Sequence, residues 1–216
     1  MKRSIYFCVA LAPLAIASAL PARATPGLGF DVTARIAAAG KSSGAPQVVQ
    51  AHVLLSGQRA RIDTSAGRTR AIVLYSPPFV YRLLPDSKAG VKWNLSKVRG
   101  GKFGGFDPQQ LLRNPSQIRA SLVQNGAKLT ERSQIGGVPV DVYEQNRPGQ
   151  SVSHVKAWIR RADSLPLRFE AQSGGLNVVA TWSRYTHMAN APASKFAVPK
   201  GFSIREAQNP PLIPLL

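Results

Sequence analysis

The chain has 216 residues, 44% of them apolar, and carries 28 Lys and Arg against 10 Asp and Glu, a formal charge of +18. Its one Cys, Cys8, rules out a disulfide or a multi-thiolate metal site within the chain, so packing must hold the fold. A field of this sign either attracts polyanions or only keeps the surface solvated, and the sequence leaves both open.

Residues 1–24 have the pattern of a cleavable export signal. Lys2 and Arg3 form its positive end, an apolar run follows from Ile5 to Leu20, and Ala22-Arg23-Ala24 is a small-x-small cleavage site before Thr25. The run is shorter than the ~20 residues of a membrane span and contains Pro13. Cys8 lies inside the run without the small residues that precede a lipid-attachment Cys, so the expected mature protein is soluble and works outside the cytosol. Cleavage leaves 192 residues, one ordinary domain, and removes three basic residues and no acidic one, so the charge falls from +18 to +15. An exported polycation meets anionic lipid head groups, lipopolysaccharide or acidic proteins, and no nucleic-acid partner is expected.

Beyond the leader the dominant period is two. Phe30, Val32, Ala34 and Ile36 alternate with Asp31, Thr33 and Arg35, and Val49, Ala51, Val53 and Leu55 with Gln50, His52 and Leu54. The Gly- and Ser-rich stretch 40–46 between them makes these two strands a hairpin. Further strands are predicted over 58–64, 70–75, 79–84 and 91–95, up to the Gly-rich stretch 100–105. Helical signals then begin. Asp107 can cap a helix that starts with Pro108, and Asn114 a second that starts with Pro115 and runs to Gly126. Strands resume over 128–135, 138–145, 152–159, 166–172 and 176–185, and the Pro-rich residues 209–216 form an irregular tail.

The expected fold is mainly β with a short helical insertion, a single domain over 25–208. About eleven antiparallel strands make a sheet too long to stay flat, so twist curls it into an unclosed half-barrel. The helical insertion, 107–125, is the element free to cover the apolar face as a lid, with Leu111, Leu112, Ile118 and Leu122 turned towards it and 100–105 as its hinge.

Enzymatic signals are weak. Gly40-Lys41-Ser42-Ser43-Gly44 fits the G-x-S-x-G nucleophile elbow, but both flanks read as hairpin strands, where the elbow needs a buried strand before it and a helix after it. A serine hydrolase acting through Ser42 is accordingly the least favoured reading. His52, His154 and His187 stand far apart without metal-ligand spacing, so no metal or other cofactor is expected.

Six segments in this order, AHVLLSGQRARID (51–63), AIVLYSPPFVYRLLP (71–85), FDPQQLLRNPSQIRASL (106–122), GVPVDVYE (137–144), VKAWIRRADSLPLRFE (155–170) and SKFAVPKGF (194–202), resemble the LolA-like superfamily of periplasmic lipoprotein carriers and outer-membrane lipoprotein-sorting proteins. The resemblance covers nearly all of the mature chain. It implies an unclosed antiparallel barrel whose concave apolar face holds acyl chains beneath a lid of short helices, and an Arg on an early strand that latches the lid. Arg59 and Arg61 are the matching residues here. The Phe-Arg-Trp strand of carrier-type members has no counterpart, which makes this chain a divergent relative.

These readings combine into a set of expectations. The chain is a monomeric, non-enzymatic periplasmic carrier that shields lipid or lipoprotein acyl chains on the way to the outer membrane, with inner- and outer-membrane proteins as further partners. The alternative is an envelope sensor of the same fold. The cavity is expected to be lined by Val53, Leu55, Ile62, Ile72, Leu74, Trp93, Leu95, Leu167 and Phe169, with Arg59 or Arg61 at its rim as latch or head-group contact.

Overall fold

The computed structural model describes residues 26–38, 45–94, 117–146, 152–173 and 175–207. Six strands open it: β1 (Gly27–Ala38), β2 (Gln47–Ser56), β3 (Arg59–Ala66), β4 (Thr69–Ser76), β5 (Phe79–Leu84) and β6 (Ala89–Asn94). A short helix, α1 (Ile118–Gln124), leads into β7 (Lys128–Ile135), β8 (Val138–Asn146), β9 (Val152–Arg160), β10 (Pro166–Ser173) and β11 (Leu176–Met188). A 3-10 turn (Ala193–Phe196) and β12 (Ser203–Glu206) close the described chain.

All the described strands form one sheet in the order β12-β6-β5-β4-β3-β2-β1-β11-β10-β9-β8-β7. Two antiparallel meanders, β1 to β6 and β7 to β11, are joined by antiparallel pairing of β1 with β11. The end strands β12 and β7 do not pair with each other, so the sheet is unclosed. The expected mainly-β fold with a short helical insertion is therefore found, with twelve strands among the described residues in place of about eleven; the insertion's second helix is seen as Ile118–Gln124, and the first, expected from Pro108, lies outside the described residues. The added strand, Ser203–Glu206, pairs parallel to β6 and is too short to show an alternation of its own.

Turn chemistry sets the meanders. Ile135 pairs with Val138, leaving a two-residue loop in which Gly136 and Gly137 both have positive φ, 57° and 81°, a conformation that matches the twist of a hairpin and favours Gly. Gly90 serves differently. A Cβ there would sit 2.6 Å from Leu83 Cδ2 and 2.8 Å from Ile204 Cδ1, so its lack of a side chain lets β12 lie close against β5 and β6.

The two faces of the sheet have separate cores. On the face termed inner here, an apolar cluster runs from Trp93 and Val80 through Val73, Tyr75, Ile62, Val53, Leu55, Phe30 and Val32 to Ala180, with Phe169 and Trp182 against it. Phe169 also joins the cluster that seats α1, in which Ile118 and Leu122 lie on Tyr143, Ala157 and Ile159. On the outer face the segment after β11 folds back: Ala191 and Phe196 cover Leu54, and Val198, Phe202 and Ile204 pack against Ile72, Leu74 and Leu83.

Candidate functional site

The inner face is the candidate site, and the register decides which side chains line it. Phe30 pairs with Val53, Val53 with Ile62, and Ile62 with Val73, so these four stand in one row across β1 to β4. Tyr75 continues through Val80 to Trp93 on β6. Val53, Leu55, Ile62 and Trp93 are buried together there, and Phe169 packs against them from β10.

Two expected lining residues lie on the other side. Because Val73 and Tyr75 take the inner positions of β4, Ile72 and Leu74 point outward and are covered by the C-terminal segment. The reason is that β4 is buried on both faces, so Ala-Ile-Val-Leu-Tyr is apolar throughout and its phase cannot be read from alternation. Leu167 is only partly buried and lines a separate cleft, because the register slips between Pro166 and Arg168. Leu95, Leu111 and Leu112, with the hinge 100–105 and the first part of the lid, lie outside the described residues, as does Ser42.

The expected latch is also placed differently. Arg61 pairs with Leu54 and Leu74 across the strands and so faces outward. Its guanidinium donates to both oxygens of Asp63, at 2.7 and 2.8 Å, and to the backbone carbonyl of Lys195 at 3.2 Å. The hydrogen bond to Asp63 holds its pKa above the ordinary value against the opposing effect of burial. Arg61 thus fastens the C-terminal 3-10 turn, on the face opposite α1, and Arg59 stands exposed two residues away on the same strand.

What holds α1 is a different set of contacts. Ile118 and Leu122 supply its apolar side, as the sequence pattern predicts. Arg119 lies 3.3 Å from the Asp141 carboxylate and donates to the carbonyl of Arg160 at 3.2 Å, and Gln145 donates to the carbonyl of Asn125 just beyond the helix end. The indole N–H of Trp93, at the opposite end of the inner face, is buried and has no hydrogen-bond partner among the described residues. An unmatched buried donor is costly and rare, and it gives this apolar surface one polar point.

Sequence reasoning missed the open cleft of about 660 Å³ beside Trp158, with Arg160, Arg168, Glu170, Arg184 and Tyr185 among its walls. Lys156 Nζ and the Arg168 guanidinium lie 5.3 and 5.4 Å from the Trp158 ring, and Arg168 is also tied to Glu170 at 2.7 Å. The signal is present in Lys156, Trp158, Arg160 and Arg168, but it takes the strand register, which sets Trp158 opposite Arg168, to bring the residues of β9 and β10 together. Burial raises the Tyr185 pKa above the ordinary phenol value, with Arg160 opposing, so the hydroxyl stays protonated and donates to the carbonyl of Pro166. The histidines His52 and His154 are spent locally, on Asp31 and Asn146, at 2.7 and 2.6 Å.

No protein-family model matches the chain, and no curated protein matches it in sequence. Its fold is similar to solved structures. An uncharacterized conserved protein from Thermus thermophilus aligns with a TM-score of 0.56 at 11% identity, covering 86% of this chain and 92% of that one. A LolA superfamily protein from Nitrosomonas europaea aligns at 0.41 and 13% identity, over 79% and 90% of the two chains. The lipoprotein LppX of Mycobacterium tuberculosis aligns at 0.41 and 14%, over 76% and 87%. At 11% identity the likeness to the Thermus protein is one of fold, and it extends over most of both chains.

Proposed function

We propose that the chain is a non-enzymatic periplasmic carrier of lipid or lipoprotein acyl chains, exported by a leader over 1–24 that is cleaved to leave one domain over 25–208. The observation that carries this reading is the unbroken apolar inner face from Trp93 to Phe169 on a sheet that does not close. Such a surface suits a cargo whose exposure is expensive: each CH₂ left in water costs ~0.8 kcal/mol, and a whole acyl chain on the order of 10 kcal/mol. The unmatched indole N–H of Trp93 suits an ester carbonyl of the same cargo. The resemblance of segments 51–63, 71–85 and 155–170 to the LolA-like superfamily supports the same class.

The test is transfer of a fluorescent phospholipid between donor and acceptor vesicles by the purified protein. Saturable extraction and delivery is the expected result, and no extraction at any protein concentration overturns the reading. Extraction without delivery would instead favour the sensor or binding-module reading, for which the open cleft beside Trp158 offers a docking surface.

A further inference from the structure

Three guanidinium groups converge on one carboxylate beside the cluster that seats α1. Asp141 on β8 lies 3.3 Å from Arg119 Nη2 on α1, 3.6 Å from Arg161 Nε just after β9, and 4.0 Å from Arg132 Nε on β7. The register creates the convergence: Arg132 and Asp141 are cross-strand partners, and Asp141 is paired on its other side with Ile159. Ile159 belongs to the cluster of Ile118, Leu122 and Tyr143, so the charges adjoin an apolar surface. Arg160, next in line, is matched by Asp163 at 3.0 Å and adds no net charge.

One carboxylate neutralises one guanidinium, and the other two leave a local surplus of positive charge. Arg119 is the member engaged with the fold through the Arg160 carbonyl. The contacts of Arg132 and Arg161 to Asp141 Oδ1 fall short of hydrogen bonds, since that oxygen has no hydrogen-bond partner among the described residues. Their side chains are 71% and 44% exposed, so their N–H donors remain available. Guanidinium forks that approach from separate elements match the several oxygens of a tetrahedral oxyanion.

We infer that Arg132 and Arg161, completed by Arg119, form a binding site for a phosphate group. That phosphate is either free or part of a lipid head group; only the latter source rests on the carrier reading, in which the chains of that lipid would lie along Tyr143 and Ile159.

The test compares the parent with Arg132→Gln/Arg161→Gln, which keeps the Arg119 contact, and with Arg35→Gln/Arg205→Gln, which removes two exposed charges elsewhere. Binding is measured to phosphatidylcholine vesicles with and without phosphatidic acid, and to inorganic phosphate by calorimetry. The site pair should weaken binding by about fivefold per guanidinium, the size of an exposed charged contact, and the distant pair should leave it nearly unchanged. Calorimetric binding of inorganic phosphate that the site pair abolishes supports a free-anion site; loss confined to phosphatidate vesicles supports a head-group site. Equal losses in both pairs would assign the binding to the overall charge and overturn the proposal, as would no loss in the site pair. Failure to extract acyl chains would sink the carrier reading alone, because inorganic phosphate needs no apolar face.

Discussion

Ile62 and Val73 are direct cross-strand partners on the inner face, and their neighbours Arg61 and Leu74, also paired with each other, therefore face outward. This one register gives β3 and β4 two different tasks. The inner row extends the apolar surface, while the outer row anchors the returning C-terminal segment.

Leu74→Arg is accordingly a stability variant. Leu74 is fully buried among Ile72, Leu83 and the C-terminal segment, and an unpaired charge there should cost more than ~3 kcal/mol. The expected result is a large drop in the denaturation midpoint with early proteolysis of 191–207. A fully stable variant that had lost lipid extraction alone would contradict the assigned face.

Arg61→Ala should loosen the 3-10 turn by ~1 kcal/mol, since it removes the donor to the Lys195 carbonyl and leaves Asp63 without its partner. Hydrogen exchange over 193–198 should accelerate. Arg59→Ala, at an exposed position, should leave the same amides unchanged.

Gly90→Val forces a side chain into Leu83 and Ile204. Overpacking of this kind costs ~1–3 kcal/mol, and the four-residue parallel strand is the element able to yield. Protease cleavage within 203–206 is the expected readout, with the circular dichroism of the remaining sheet retained.

Trp93→Phe separates packing from hydrogen bonding. It removes an unmatched N–H, so the loss of stability should stay below ~1.5 kcal/mol, the range of a conservative core change. Extraction of ester-linked phospholipid should weaken several-fold while uptake of a plain hydrocarbon probe is kept. Equal loss of both would remove the indole N–H from any role in recognition.

Where one face of a strand is wetted, period two is legible. Thus Val53 and Leu55 against Gln50 and His52 on β2 read as sharing one face, and Ile118 and Leu122 at helical spacing read as the apolar side of α1. Where both faces are covered the signal is lost, and Ile72 and Leu74 on β4 pack beneath the C-terminal segment on the outer face, where alternation could not locate them. The covering segment is harder to read, because its apolar residues Phe196, Val198, Phe202 and Ile204, though spaced in multiples of two, are spread over a 3-10 turn, a loop and a four-residue strand.

Local chemistry by itself determined the strands, their hairpin turns and the class of fold, because alternation and Gly-rich turns act over a few residues. Only the tertiary structure decided which face each strand presents, that Arg61 serves the C-terminal turn, and that Arg119, Arg132 and Arg161 meet at Asp141. Those meetings join residues up to 134 positions apart in the chain. They depend on strand register and on what covers each face, and no short stretch of sequence contains either.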